Sequence, residues 1–404
     1  MKTIIIFGPE GPNSGAEGAV TTKFMNMMQN QGWKVFWIYH NTNTNNNDSK
    51  TNTDHYLIGI KNPIVQKIAY VLRHIPILKY IYHLDSIFWC YKAYRKGKSI
   101  HRGTPVDYIF SRIMPQYGHL PALLLKRKKN IPWIANWSDP MPRNKAPHPY
   151  GMGVDSPIST FQQYYLKKIC KYANAHTFPS AYLKKFYLHY LPAKPERSFT
   201  LSHIIDKDNI ETPHKHKTLK LAHIGGGLIQ RDPTLFFKAL RNIINKKEFS
   251  NISIQVDFVG PIEGNVEQIS KKTKIDHVIR FAGKRPYNEA LEYIKQADIL
   301  LIIEAPMEEG IFLPSKVADI LGYHKPMFAI SPPKGVLKDL ITQFKGGLVV
   351  NCLSLTDIEI GLEQLLSDWS QNQLQTPQYD TQELYNEFSE KNIWNQLQNI
   401  IHHS

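Results

Sequence analysis

A chain of 404 residues with 42% apolar and 21% charged residues has the make-up of a globular protein and is long enough for two domains of ordinary size. Its three cysteines, Cys90, Cys170 and Cys352, lie far apart with no CxxC or Cys/His spacing, which argues against a disulfide framework or a zinc site and fits a reducing cytosol. The formal net charge of +15 invites an acidic partner: nucleic acid, anionic lipid or a phosphate-bearing substrate.

The first segment, "MKTIIIFGPEG", is too soon interrupted for a signal peptide and reads as a buried strand. A glycine-bearing turn over residues 8–18, which includes Gly15, comes next without strict GxGxxG spacing. A helical pattern over 17–31 leads to a second strand, "KVFWIYH", and then to "NTNTNNNDSKTNTD" at 41–54, a polar low-complexity loop expected to be disordered. Residues 61–102 mix Lys, Arg and His with Ile, Leu, Tyr, Phe and Trp. Such a stretch suits a membrane surface, or a helical hairpin whose apolar side packs on its own domain. No apolar run approaches the ~20 residues needed to cross a bilayer.

"VDYIFSR", "PWIANW" and "AHTFPS" continue the strands, with helical patterns near 117–129, 158–173 and 180–190. His119 opens the first of these helices directly after a strand end. There it is expected to face an open cleft, where it could orient or deprotonate a hydroxyl or bind a phosphate; a structural histidine is the plainer alternative. Asp139 comes after the next strand and is either a site carboxylate or a turn former.

The βα alternation pauses at residues 206–218, "DKDNIETPHKHKT", a polar linker. "DKD" imitates a metal-holding DxD but lies away from any strand end, and His203, His214 and His216 lack ligand-type spacing. A second βα series begins there, with strands at "LKLAHIGG", "ISIQVDFVG", "HVIRFAG", "ADILLIIEA" and "KPMFAIS" and a final helix from about residue 380 to 402. After the first of these strands come Gly225, Gly226 and Gly227, Arg231, and a helix start at Asp232–Pro233. Glycines allow close backbone approach, a helix start offers free N–H groups, and arginine forks onto phosphate oxygens. In "EEGIFLPSKVADILGYHKP", residues 308–326, Glu308 and Glu309 precede a helix that carries Lys316 and Asp319 three apart.

Together these stretches, in this order, resemble the GT-B glycosyltransferases, and in particular the retaining, nucleotide-sugar-dependent family four. The resemblance spans nearly the whole chain and rests on residues 111–140, "HIGGGLIQRDP", "FVGP", residues 278–303, "FLPSKVADILGYHKPMFAISP" and the final helix. It implies an α/β protein of two doubly wound Rossmann-like domains facing a central cleft. Residues 1–205 would bind the acceptor, on the side of Gly15 and Asp139, and 219–378 the donor, with 206–218 as linker and 379–404 crossing back to the first domain. Gly226 and Gly227 would approach the pyrophosphate, Arg231 and Lys316 would neutralise it, Gly283 and Arg285 would flank the base, and Asp319 would hold the ribose. His119 and Glu308 or Glu309 are the catalytic candidates, although neither glutamate falls in the family's register.

The resemblance further implies transfer to a hydroxyl with retention, a UDP-sugar as the favoured donor, no cofactor and no obligatory metal. A surface polysaccharide, glycan or lipid-linked acceptor at the cytoplasmic face of an anionic membrane fits, with no nucleic acid as partner. A nucleotide-sugar epimerase of the same fold, a basic nucleic-acid-binding protein and a non-catalytic scaffold are the alternatives.

Overall fold

The strands form where uninterrupted apolar runs must be covered on both sides, which is the demand of a parallel sheet clothed by helices. The computed structural model describes residues 1–12, 15–40, 56–60, 84–113, 117–205 and 217–404. They fall into two units: 1–142, 157–204 and 393–404 form the first, and 143–156 with 205–392 the second. The loop at 41–54 and the greater part of the linker, 206–216, lie outside the described residues.

Among the described residues the first unit holds seven strands: β1 (Thr3–Phe7), β2 (Lys34–His40), β3 (Tyr56–Ile60), β4 (Tyr108–Arg112), β5 (Trp133–Asn136), β6 (Ala175–Phe178) and β7 (Ser198–Thr200). They form one parallel sheet in the order β3-β2-β1-β4-β5-β6-β7. Register is tight at the centre, where Ile5 of β1 lies opposite both Phe36 of β2 and Ile109 of β4. The helix Gly15–Asn30 packs Phe24, Met27 and Met28 on one face of this sheet, against Ile4, Ile6 and Phe110. Leu84–Gly103, Leu120–Lys129, Thr160–Tyr172 and Ala181–Tyr190 cover the other. The last helix, Glu390–His403, closes the first face, where Ile393, Leu397 and Ile400 are buried with Phe24, Met28 and Phe110. Sequence periodicity misses β3, which comes after the polar loop, and β7, which has only three residues.

The second unit repeats the design with β8 (Thr218–Ile224), β9 (Ser253–Val259), β10 (Ile279–Gly283), β11 (Ile299–Ile303), β13 (Met327–Ser331) and β15 (Gly347–Asn351). Their order across the sheet is β10-β9-β8-β11-β13-β15. A two-stranded ladder, β12 (Glu309–Gly310) with β14 (Lys334–Gly335), stands beside the sheet. The amphipathic helix Thr234–Ile244 turns Phe236, Phe237, Leu240 and Ile243 into the core. The expected single C-terminal helix is two helices: Gln382–Phe388 belongs to the second unit, and the first unit takes Glu390–His403 from Ile393 onward. No helix among the described residues is long and apolar enough to cross a membrane.

Candidate functional site

In an open parallel sheet the strand order reverses beside the first strand, and the loops at the carboxyl ends of the two strands there part to leave a crevice. In the second unit the reversal lies between β8 and β11, so the crevice receives the residues just past Ile224 and Ile303. The Gly225–Gly227 turn enters it from one side and Glu304 from the other.

The turn is built for close packing. Gly225 (φ +117°) and Gly227 (φ +85°) hold left-handed-side conformations that side chains resist. The Gly225 N–H donates to Val259 O at 2.7 Å, and the Gly260 N–H to Gly283 O at 3.0 Å. The ends of β8, β9 and β10 are thereby laced together. A Cβ on Gly260 would come within 2.5 Å of Gly225 O, so this contact admits only glycine.

Two cations flank the turn. A Cβ on Gly225 would sit 3.9 Å from Lys316 Nζ, and one on Gly227 would sit 3.9 Å from Arg231 Cζ. Lys316, on the helix Ser315–Leu321, donates from Nζ to Ile224 O at 3.3 Å. Arg231 donates from Nε to Tyr150 Oη at 3.3 Å and from Nη1 to Gly226 O at 3.4 Å. Tyr150 in turn packs its ring 4.4 Å from Phe312. The segment 143–156 therefore supplies a support for Arg231 that no local pattern in the sequence announces.

Beneath the cations lies Glu304, which is 7% exposed and accepts from Ser331 Oγ at 2.5 Å. Burial pushes its carboxyl up to about 7, against the pull of Ser331, Arg231 and Lys316. Burial and the nearby Arg231 push the Lys316 ammonium down to about 7, while Glu304 opposes the fall. Glu304 holds its proton more tightly when folded, so its contribution to stability falls as pH rises from 4.5 to about 7. Lys316 holds its proton less tightly when folded, so its contribution rises from about pH 7 to 10.5. Urea midpoints should rise more steeply with pH between 4.5 and 7 in Glu304→Gln than in the wild type, because the buried imidazoles of His119, His176 and His223 contribute a rise to both proteins and only the wild type carries the opposing Glu304 contribution. Parallel curves for the two proteins would refute the assignment.

The Gly227 N–H donates to Glu263 Oε2 at 3.1 Å. A carboxylate oxygen thus sits on a backbone amide where a phosphate oxygen would be equally at home. Glu263→Ala should free that donor and tighten binding of a nucleoside diphosphate about two- to fivefold, the worth of one exchanged hydrogen bond. Titration calorimetry reads the change, and an unaltered affinity would show that the amide takes no ligand.

The other sequence-predicted residues fall around this centre or away from it. Gly283 (φ +71°) ends β10 and touches the turn through Gly260, while Arg285 is exposed just beyond. Asp319 is half-buried one turn past Lys316. Glu308 is exposed, and Glu309 is set in the β12–β14 ladder opposite Lys334. Sequence reasoning misses Glu304 and Glu263; an acid closing the apolar run "ADILLII" is the available signal for the first.

In the first unit the reversal lies between β1 and β4. Glu17, in the first turn of Gly15–Asn30, meets Arg112 at the end of β4; Nε and Nη2 both approach Oε2 at 2.9 Å. Burial alone would raise the Glu17 carboxyl, but Arg112 holds it below its usual range. Gly15 (φ +61°) opens the same helix. The half-buried Asp139 lies just past β5, and its backbone O accepts from Tyr187 Oη at 3.2 Å.

The expectation that His119 faces an open cleft is corrected. The residue precedes Leu120–Lys129 with its ring turned inward and is 0% exposed. The ring centroid lies 4.5 Å from that of Trp137 in an edge-on contact, and Nδ1 lies 2.7 Å from Ser111 Oγ. Burial, with His176 and Arg112 nearby, holds the imidazole neutral, well below its usual value. The packing of two tryptophans at this strand end, rather than the helix start, decides where the ring goes. Among the described residues no group of three or more His, Cys, Asp or Glu is placed to hold a metal.

No family model and no curated protein matches the chain at the sequence level. Solved structures do match it in fold. Sucrose-phosphate synthase from Thermosynechococcus elongatus is similar with a TM-score of 0.71 at 12% identity, over 100% of this chain and 98% of that one. Anabaena HepE in complex with UDP-glucose matches with a TM-score of 0.68 at 12% identity, over 100% of both chains. A candidate UDP-N-acetylglucosamine 2-epimerase from Listeria monocytogenes matches with a TM-score of 0.57 at 9% identity, over 100% and 97%. The likeness establishes the fold as the two-domain GT-B type.

Proposed function

We propose that this protein is a glycosyltransferase that takes a nucleoside-diphosphate sugar on its second unit and passes the sugar to an acceptor hydroxyl. The observation that carries the reading is the Gly225–Gly227 turn at the β8/β11 reversal with Lys316 and Arg231 on its flanks. Bare backbone beside two cations suits a diphosphate, whose charge grows as it departs with the leaving nucleotide. Arg231 offers a fork of donors and Lys316 a compact charge, and both already point at backbone oxygens that a ligand's phosphate could outcompete.

Asp319 serves as acceptor for the ribose hydroxyls, and Gly283 with Arg285 borders the base. The acceptor is held by the first unit near Gly15 and Asp139. Transfer proceeds with retention, from a UDP-sugar by preference, to a glycan or lipid-linked acceptor of a surface polysaccharide. The fold shared with a UDP-glucose complex supports this choice of donor class.

The test is a calorimetric screen of UDP- and GDP-sugars, followed by an assay of nucleoside diphosphate released with and without glycan acceptors. Saturable binding and acceptor-dependent release are expected. A chain that binds none of the nucleotide sugars would overturn the reading. A sugar isomerised without acceptor would make the protein an epimerase of the same fold.

A further inference from the structure

Three helices of the first unit, Leu84–Gly103, Leu120–Lys129 and Thr160–Tyr172, lie side by side on one face of its sheet. They carry five, four and three lysines and arginines respectively, against a single acid, Asp85. Twelve cations against one acid give this layer a formal net charge of +11, out of +15 for the whole chain.

The apolar residues on that layer are placed as unusually as the charges. Crossover helices run antiparallel to the strands they join, so the amino-terminal halves of all three lie at the carboxyl edge of the sheet. On that edge Ile87 and Tyr91 are 57% and 54% exposed, and Phe161 and Tyr164 are 80% and 61% exposed. Spacings of four and three residues put each pair on one helical stripe. The basic residues continue toward the carboxyl-terminal halves, and each stripe passes from ring to cation in the same way. Arg95 lies 6.0 Å from the Tyr91 ring centroid, and Lys168 Nζ lies 4.9 Å from that of Tyr164. The inward sides of the same helices are ordinary core, with Trp89, Cys90 and Ala93 on one and Leu166 and Ile169 on another. Of residues 61–102, the described part, 84–102, is one helix whose inward side packs on its own unit; residues 61–83 lie outside the described residues.

We propose that this layer is a docking face for an anionic lipid bilayer. An edge of exposed rings and aliphatic groups backed by a basic band matches a surface that offers acyl chains below and negative headgroups above. A nucleic acid would satisfy the cations and stack on the rings but has nothing to cover Ile87. The proposal stands apart from the nucleotide-sugar reading, since it uses none of the second unit.

The full-length chain should co-sediment with phosphatidylcholine vesicles containing phosphatidylglycerol and far less with phosphatidylcholine alone, and the binding should weaken with salt. The double variant Phe161→Ser/Tyr164→Ser should lower partitioning at least tenfold at an unchanged thermal midpoint, because both rings are exposed in the free protein. Lys168→Glu/Lys171→Glu should lower it by about fivefold or more per position. Lys271→Glu/Lys272→Glu, on the helix Val266–Lys272 of the second unit, should leave it as it is. Equal binding to neutral vesicles, no binding to either, or wild-type partitioning by the aromatic variant would overturn the proposal. Retention by single-stranded RNA without vesicle binding would replace it with the nucleic-acid reading.

Discussion

Lys316→Ala is expected to weaken binding of a UDP-sugar or UDP about 10- to 100-fold, the loss of one charge-assisted contact of about 1.5–3 kcal/mol in a partly buried setting. A second effect, which a merely structural lysine would not produce, concerns the proton on Nζ. Burial and Arg231 hold the free Lys316 at about 7, so at pH 8 it is largely neutral. A diphosphate beside it favours the charged form and draws a proton onto Nζ. Calorimetry at pH 8 in buffers of different ionisation enthalpy should therefore show net proton uptake by the wild type and little by Lys316→Ala. Lys316→Arg keeps a charge but cannot titrate; it should bind with no proton uptake at that position. Equal affinity of wild type and alanine variant would remove Lys316 from the site.

Arg112→Ala should cost about 3–5 kcal/mol of stability in the first unit, the usual penalty for leaving one member of a buried pair alone. Glu17 and Arg112 side chains are only 17% and 5% exposed, and their two short contacts converge on one oxygen. Chemical denaturation monitored by a first-unit probe reads the loss. Because Glu17 is held below its ordinary value of 4.5, its contribution is present above that pH and is lost as pH falls through the lowered folded value. Glu17→Leu/Arg112→Leu removes both charges and should recover much of the loss at neutral pH. A single variant as stable as the wild type would show that the pair contributes nothing.

Much of this architecture is legible in the chain because each central strand is a run that only burial can explain. "TIIIF" and "ILLII" are buried at every position. The glycine turn is legible for the same reason, as a strand that stops abruptly in residues without side chains. Edge elements are not. β15, "GLVVN", begins with a glycine at φ +149° and keeps four of its five residues half-buried, and its apolar run is only Leu348, Val349 and Val350. Pairings across the chain leave no local trace: Glu17 and Arg112 stand 95 residues apart, and Tyr150 and Arg231 stand 81 apart. His119 shows the reverse difficulty. Its position after a strand suggests a site, but Trp133 and Trp137, which take its ring, become neighbours only on folding.

The division of the backbone between the two units has a practical consequence. The chain passes from one to the other after residues 142, 156, 204 and 392. A fragment cut at residue 205 would retain Arg231 and Phe312 but lose Tyr150, which bonds the first and packs on the second. A fragment ending at 204 would lack Ile393, Leu397 and Ile400 from its core. Neither half can be excised with a single pair of endpoints. Dissection therefore calls for a spliced or circularly permuted gene, and limited proteolysis between the units should nick the chain without releasing a native half.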